Sequence, residues 1–573
     1  MDIFTQANDW LTHDPDPDTR RELQHVLNAA KSGAKAKEDL EDRFSGMLQF
    51  GTAGLRGKLG AGPNRMNRAV VIKAARGLVD YLKLSLDKPK VVIGNDARHK
   101  SREFALDTAG VVTAMGGEAL LLPDKLPTPL LAYAVRALHA DAGVMVTASH
   151  NPPQDNGYKV YLGGRMVSEP ERGAQIVPPY DSEIAACIAK TAPADEIERA
   201  GRGWTDIGPE LEQQYIEAVA AGETRAEAQA RPPIKIVHTA MHGVGSHTAL
   251  EALVRAGFEN IESVKEQKRP DPDFPTVAFP NPEEPGAIDL ALKLARDVDA
   301  DVVIANDPDA DRCAVATWDP RSGGWRMLHG DELGAILGHA VAEQLSLPVP
   351  DIEPEPDAPV LANSIVSSRL LGKIAAAHSL PYQQTLTGFK WMGRVPNLAY
   401  AYEEAIGYCV RPDLVHDKDG ISAAVLVARV VSDLKADGLT LTDLLDNLAR
   451  AHGLYLTDQL SARFTDLELI PETMKRLREN PPKTLAGSPI VESHDLSKGY
   501  NGLPATDGIL MLTAANDRVV VRPSGTEPKV KCYLEVVSDV DPDASFDDLT
   551  SLRAHAKARL GAIKEDLNTA LFA

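Results

Sequence analysis

The chain has 573 residues, 43% of them apolar and 5% aromatic, more than one hydrophobic core usually serves and an ordinary composition for an α/β protein. Its formal net charge of −21 argues against nucleic acid and anionic membrane surfaces as partners, and any anionic ligand must find a local basic patch. Cys187, Cys313, Cys409 and Cys532 form no CxxC pair and read as reduced thiols of a cytoplasmic protein, while a polar, acidic start and the lack of any apolar run near ~18 residues predict neither a signal peptide nor a membrane span.

The first expected element is a helix capped by Asp18, with Leu23, Val26, Leu27 and Ala30 on one face. Strand and helix then alternate through three stretches. The first holds strand 91–93, a helix over 102–115, strand 119–122, a helix over 128–139 and strand 142–146. The second holds strand 234–238, a helix over 244–256, strand 260–264, a helix over 286–298 and strand 301–305. The third holds a helix over 331–345, strand 359–365, a helix over 367–378, strands 382–386 and 398–402, and a long helix over 420–436. From residue 455 the pattern changes to β-branched runs with a closing helix over 547–565. The acidic or proline-rich stretches 178–210, 345–358 and 479–490 read as surface loops, and Asp14-Pro15-Asp16-Pro17-Asp18 and Asp271-Pro272-Asp273, which follow no strand, as solvated turns. The expected architecture is three successive mixed α/β sheet domains with helices on both faces, over 1–205, 206–325 and 326–454, plus a C-terminal α+β domain over 455–573.

Four loops carry chemistry, and in mostly parallel sheets ligand sites lie at the carboxyl ends of strands. Thr147-Ala148-Ser149-His150-Asn151-Pro152-Pro153 follows the apolar run Ala142–Val146. A serine hydroxyl needs activation to act as a nucleophile or phosphate carrier, and a histidine stands next to it. A turn cap is the bland alternative. Asn306-Asp307-Pro308-Asp309-Ala310-Asp311-Arg312 follows Asp301–Ala305. Its three alternating carboxylates repel one another unless a cation sits among them, and so few hard ligands suit Mg²⁺. An EF-hand starting at Asp307 is excluded, because its sixth and twelfth positions would be Arg312 and Trp318 instead of Gly and Glu; a solvated acidic turn is the competing reading.

The third loop, Tyr402-Glu403-Glu404-Ala405-Ile406-Gly407-Tyr408, pairs glutamates between aromatics and suits sugar hydroxyls, though a solvated strand end looks similar. The fourth, Arg522-Pro523-Ser524-Gly525-Thr526-Glu527-Pro528-Lys529, lies between β-branched runs and offers a guanidinium, two hydroxyls and open backbone N–H groups. That set matches a phosphate monoester, and a plain hairpin requires none of it.

In this order the four loops resemble the α-D-phosphohexomutase superfamily, and the resemblance covers nearly the whole chain. Further marks are Phe50-Gly51-Thr52-Ala53-Gly54-Leu55-Arg56-Gly57, Asp155-Asn156-Gly157-Tyr158-Lys159, Met241-His242-Gly243-Val244-Gly245, Thr387-Gly388-Phe389-Lys390-Trp391 and Asp417-Lys418-Asp419-Gly420. They point to the longer phosphoglucomutase and phosphopentomutase branch.

The resemblance implies an active site in a central cleft and a phosphoserine mutase. Ser149 carries the phosphoryl group, Asp307, Asp309 and Asp311 with Ser149 bind Mg²⁺, and a sugar 1,6-bisphosphate is both intermediate and activator. His150, Lys159 and Lys418 are the proton-transfer candidates. Arg56, Arg312, Thr387, Gly388, Lys390, Glu403 and the neighbourhood of Ala405 meet the substrate; Arg522, Ser524, Gly525 and Thr526 hold its distant phosphate. The common pattern has a serine at Ala405, and losing that hydroxyl relaxes the choice of sugar. Glucose 1-phosphate is the first expectation and mannose 1-phosphate the second. A pentose 1-phosphate, or synthesis of the bisphosphate itself, is the alternative. A metal-dependent phosphatase and a non-catalytic sensor are the rival classes.

Overall fold

The computed structural model describes residues 2–51, 54–222, 230–345, 357–464, 468–523 and 529–572. They form two compact units, one of Met1–Ala316 with Gly407–Ser432, the other of Thr317–Ile406 with Asp433–Ala573.

The first unit holds two mixed sheets. In the larger, the strand Lys90–Asn95 lies parallel to both Glu118–Leu121 and Ala142–Val146, and Asp155–Leu162 runs antiparallel to Ala142–Val146. Val91, Ile93, Val144 and Val146 pack with Phe104 and Ala105 of the helix Ser101–Ala114. On the other face, Gly94 and Gly143 lie under Leu131 and Val135 of the helix Thr128–Ala137. Helices on both faces explain why every residue of Ala142–Val146 is buried and the run reads as unbroken hydrophobicity. In the smaller sheet, Val302–Ala305 lies parallel to Ile236–Thr239, which is parallel to Ile261–Ser263. The chain returns to this unit at Gly407, and the Tyr215 hydroxyl donates to Asp419 Oδ1 (2.8 Å) at the start of the helix Gly420–Ala436.

In the second unit, Val360–Ser364 lies parallel to Tyr382–Thr385 on one side and to Leu398–Glu403 on the other. Its C-terminal part is a wholly antiparallel sheet, in the order Leu454–Arg463, Lys529–Ser538, Arg518–Pro523, Ile509–Thr513, Ser488–Asp495 and Thr484–Leu485. The closing helix, Phe546–Phe572, packs on it through Leu549, Leu560, Ile563 and Leu567.

Three expectations need correction. The first helix capped by an aspartate is Pro17–Ala30, and its cap is Asp16, because Pro17 takes the first helical position, where a missing N–H costs nothing. The acidic run before it is no solvated turn: Asp14 and Asp16 are 2% and 3% exposed, and Asp14 accepts from the Thr19 hydroxyl at 2.7 Å. That turn joins Pro17–Ala30 to an earlier helix, Ile3–His13, and both pack with Ala34–Arg43 around Ala7, Leu23, Leu27 and Leu40. The stretches read as loops at 178–210 and 479–490 contain the helix Tyr180–Ala189 and the strand Thr484–Leu485; most of 345–358 lies outside the described residues. No helix among the described residues is long and apolar enough to cross a membrane. Cys313, Cys409 and Cys532 are buried free thiols, and Cys187 is a half-buried one.

Candidate active site

Ser149 stands three residues beyond the strand Ala142–Val146, at φ 51°, in the left-handed region. Its amide donates to Thr147 Oγ1 (2.9 Å), which fixes the turn. Its hydroxyl donates to Asp307 Oδ2 (2.8 Å) and lies 3.2 Å from His150 Nδ1. The serine therefore faces a carboxylate rather than capping its own turn. Burial above all, with Arg312 and Arg56 nearby, holds His150 well below the usual imidazole range, so the ring is neutral near pH 7.

Asp307, Asp309 and Asp311 are buried, with one oxygen of each lying within 4.8 Å of the others. Lys159 Nζ donates to Asp309 Oδ2 and Asp311 Oδ2, both at 2.8 Å, and Thr128 Oγ1 to Asp309 Oδ2 at 2.6 Å. Lys418 Nζ lies 3.5 Å from Asp311 Oδ2. The remaining oxygens, Asp309 Oδ1 and Asp311 Oδ1, are buried with no hydrogen-bond partner. Burial, then repulsion from Asp309 and Asp311, pushes the Asp307 carboxyl far above its usual range. Burial opposes the Lys159 ammonium as well, but Asp309, Asp311 and Asp417 outweigh it and raise its pKa. Crowded hard oxygens with unmet lone pairs fit a small divalent cation. This triad can hold a metal ion.

The backbone makes the arrangement specific. A Cβ on Gly243 would stand 2.3 Å from Pro308 Cα, and one on Gly420 2.2 Å from the Arg312 carbonyl. These contacts account for two of the glycine motifs, which press against the aspartate loop. Asn306 Nδ2 donates to the Arg312 carbonyl (2.8 Å), and Asn306 Oδ1 lies 3.0 Å from His238 Nε2. Lys159 reaches the loop from the strand Asp155–Leu162, where it pairs with Met145. Arg56 Nη1 donates to Asn151 Oδ1 at 3.3 Å, and the Arg312 amide to Asp307 Oδ1 at 3.1 Å.

The sequence reading missed Arg98. Its buried guanidinium donates to the carbonyls of Ser149, Asn151, Pro152 and Asp155, lies over the Phe274 ring and pairs with buried Asp96 at 3.4 Å. Asp96 and Arg98 follow the strand Lys90–Asn95, whose Asn95 pairs with Val146, so the strand-end rule was the available signal. Arg98→Met should strand four carbonyls and a buried carboxylate. We expect a loss of about 3–5 kcal/mol in thermal or urea unfolding, and a turnover about a hundredfold lower at temperatures where the variant is folded, since the serine loop loses its geometry.

Within the second unit, Glu403 ends the strand Leu398–Glu403. Glu404 Oε2 accepts from the hydroxyls of Ser367 (3.0 Å) and Ser364 (3.3 Å). Burial, then Glu403 and Asp331, pushes its carboxyl up to about 7. Ala405 brings no hydroxyl beside them. Gly388, at φ 103°, opens the short helix Phe389–Met392 that carries Lys390. Arg522 Nη1 donates to Thr387 Oγ1. Ser524, Gly525 and Thr526 lie outside the described residues.

Four family models match in sequence order: phosphoglucomutase/phosphomannomutase α/β/α domain I over 47–194, domain II over 213–320, domain III over 329–451 and the C-terminal domain over 476–549. The chain belongs to the phosphoglucomutase/phosphomannomutase family of phosphotransferring mutases. It is 44% identical to a "Probable phosphomannomutase" of Haemophilus influenzae over 84% of this chain and 94% of that one. It is 35% identical to the phosphopentomutase of Homo sapiens (95% and 93%) and 33% identical to the human glucose 1,6-bisphosphate synthase (98% and 94%). The fold matches a crystal structure of a phosphoglucomutase/phosphomannomutase family protein from Burkholderia thailandensis with TM-score 0.63 and 20% identity, over 89% of this chain and 97% of that one.

Proposed function

We propose that this chain is a mutase that interconverts hexose 1-phosphate and hexose 6-phosphate, glucose first and mannose second, through phosphorylated Ser149 and a sugar 1,6-bisphosphate. The observation that carries the reading is the Ser149 hydroxyl set 2.8 Å from Asp307 within the three-aspartate cluster. Asp307, Asp309, Asp311 and Ser149 would hold Mg²⁺, which when bound offsets the negative charge of phosphoryl oxygens. The protein's own groups do the rest. Neutral His150, 3.2 Å from Ser149 Oγ, is suited to take a proton from that hydroxyl or return it. Lys159 and Lys418 supply cationic donors around the aspartates, with Arg56 and Arg312 beside them. Glu403 is assigned to sugar hydroxyls, with Thr387, Gly388, Lys390 and Ala405 lining the substrate. Arg522, with Ser524, Gly525 and Thr526, is assigned to the phosphate not undergoing transfer. Added bisphosphate would act as activator by rephosphorylating Ser149.

One observation favours a second reading, a pentose 1-phosphate (ribose or deoxyribose). Ala405 lacks a hydroxyl and the Glu404 carboxylate is engaged by Ser364 and Ser367, which leaves fewer polar groups for the sugar. A site with fewer polar partners penalises a missing hydroxyl less. The test is a panel of glucose, mannose, N-acetylglucosamine, ribose and deoxyribose 1-phosphates, with and without bisphosphate. Glucose or mannose should give the highest kcat/KM. A pentose preference would move the assignment to the second reading, bisphosphate accumulating from a phosphoryl donor would indicate a synthase, and inorganic phosphate release would indicate a phosphatase.

Arg522→Ala should raise KM on the order of 30- to 150-fold, because a charged contact worth about 2–3 kcal/mol is lost. The same variant should release bisphosphate and depend more on added activator. An unchanged KM would reduce the Arg522 loop to a hairpin.

A further inference from the structure

The second unit encloses a cavity of about 330 Å³ away from Glu403 and Arg522. Its walls are the ends of the strand Gly324–Met327 and the helix Gly330–Leu345, the helix Leu441–His452, the start of the strand Leu454–Arg463 and one face of Phe546–Phe572. Leu328, Leu370, Leu445, Ala449, Leu454 and Leu560 make much of the lining apolar. Pockets that take small molecules have this make-up, an apolar lining with a few convergent polar groups.

The polar groups are unequal. The lining carboxylates are already engaged. Asp331 Oδ1 accepts from the Ser368 amide (2.6 Å) and the Tyr402 hydroxyl (3.0 Å), Glu332 pairs with Arg326 (2.7 Å), and Asp458 with Lys564. The cations on the closing helix are not. Arg553 spends one nitrogen on Asp446 (3.0 Å), and its Nε is buried without a partner. Lys557, one turn further along the same helix, has no hydrogen bond or ion pair among the described residues. In a chain of net charge −21, two cationic groups with unmet donors beside an apolar cavity mark a place for an anion.

We infer that this cavity binds a small amphiphilic anion, its carboxylate or phosphate head on Lys557 and Arg553 and its apolar body among the leucines. The cavity also touches the wall behind the proposed sugar site. Asp331 bonds the Ser368 amide, and neighbouring Ser367 holds Glu404. An occupant that immobilises Asp331 and Ser368 firms the Glu403–Glu404 loop, and this part of the inference rests on the mutase reading.

The test is calorimetric titration of the full chain with octanoate, octyl phosphate and inorganic phosphate. Octanoate or octyl phosphate should bind one-to-one with Kd below about 1 mM. Whichever binds tighter identifies the head group. Lys557→Glu, at an exposed position that leaves folding intact, should weaken binding at least about tenfold, and Ala449→Trp should fill the cavity and abolish it. Absence of saturable binding by both amphiphiles, or binding indifferent to Lys557→Glu, would overturn the site. Inorganic phosphate matching octyl phosphate, with equal sensitivity to Lys557→Glu, would overturn the amphiphilic class. With active enzyme, saturating octanoate should lower the sugar-phosphate KM roughly threefold in the wild type and not in Lys557→Glu. An unchanged KM would overturn the coupling alone, and an enzyme without mutase activity would leave the binding result standing.

Discussion

Ser149→Ala should lower turnover at least about a thousandfold while leaving the fold intact. The hydroxyl is assigned as an obligatory covalent carrier, and binding energy cannot replace a missing carrier. Structure should survive because the φ of 51° at Ser149 is imposed by bonds that alanine keeps: its amide to Thr147 Oγ1 and its carbonyl to Arg98. The one bond lost is that to Asp307. Unchanged melting with turnover collapsed, for both hexose phosphates and any pentose phosphate accepted, is the expected pattern. A variant retaining a tenth of wild-type turnover would exclude a phosphoserine route.

Asp309→Ala, or chelation of the wild type, should abolish turnover to a similar degree. The Asp309 carboxylate accepts from Lys159 and Thr128 through one oxygen and leaves the other buried without a partner, so removing it both uncovers Lys159 and takes away a ligand. A second readout separates ligand loss from local damage. Anything that binds the native state alone stabilises it by mass action, about 2.7 kcal/mol at a hundred times Kd. Added Mg²⁺ should therefore raise the melting temperature of the wild type by a few degrees, and that response should vanish in Asp309→Ala. Full activity in excess chelator would reduce the triplet to an acidic turn.

The chemistry at the ends of buried strands was legible because each loop follows a continuous apolar run. Ala142–Val146 and Val302–Ala305 are buried on both faces, so Ser149 and Asp307 stand where a reader of hydrophobicity looks. Lys159 was legible only through a family motif. Its strand, Asp155–Leu162, buries Tyr158, Val160 and Leu162 in the core while Asn156 and Lys159 interrupt the apolar run. Arg98 was missed because its work is done on carbonyls, which leave no side-chain signature in a sequence. The helices Ile3–His13 and Ala34–Arg43 were missed because each contributes little to the core alone, Ala7 from one and Leu40 from the other. The cap at Asp16 was misassigned to Asp18 because both precede the apolar face, and only the placement of Pro17 at the first helical position separates them.

The central claim is that Ser149 carries a phosphoryl group, and the most direct measurement is intact mass and peptide mapping of the wild-type protein after incubation with glucose 1,6-bisphosphate and Mg²⁺. The account predicts a species heavier by about 80 Da, one phosphoryl group, mapping to Ser149, discharged by adding sugar monophosphate and absent from Ser149→Ala. No heavier species, or a modification that maps elsewhere and persists in Ser149→Ala, would contradict it.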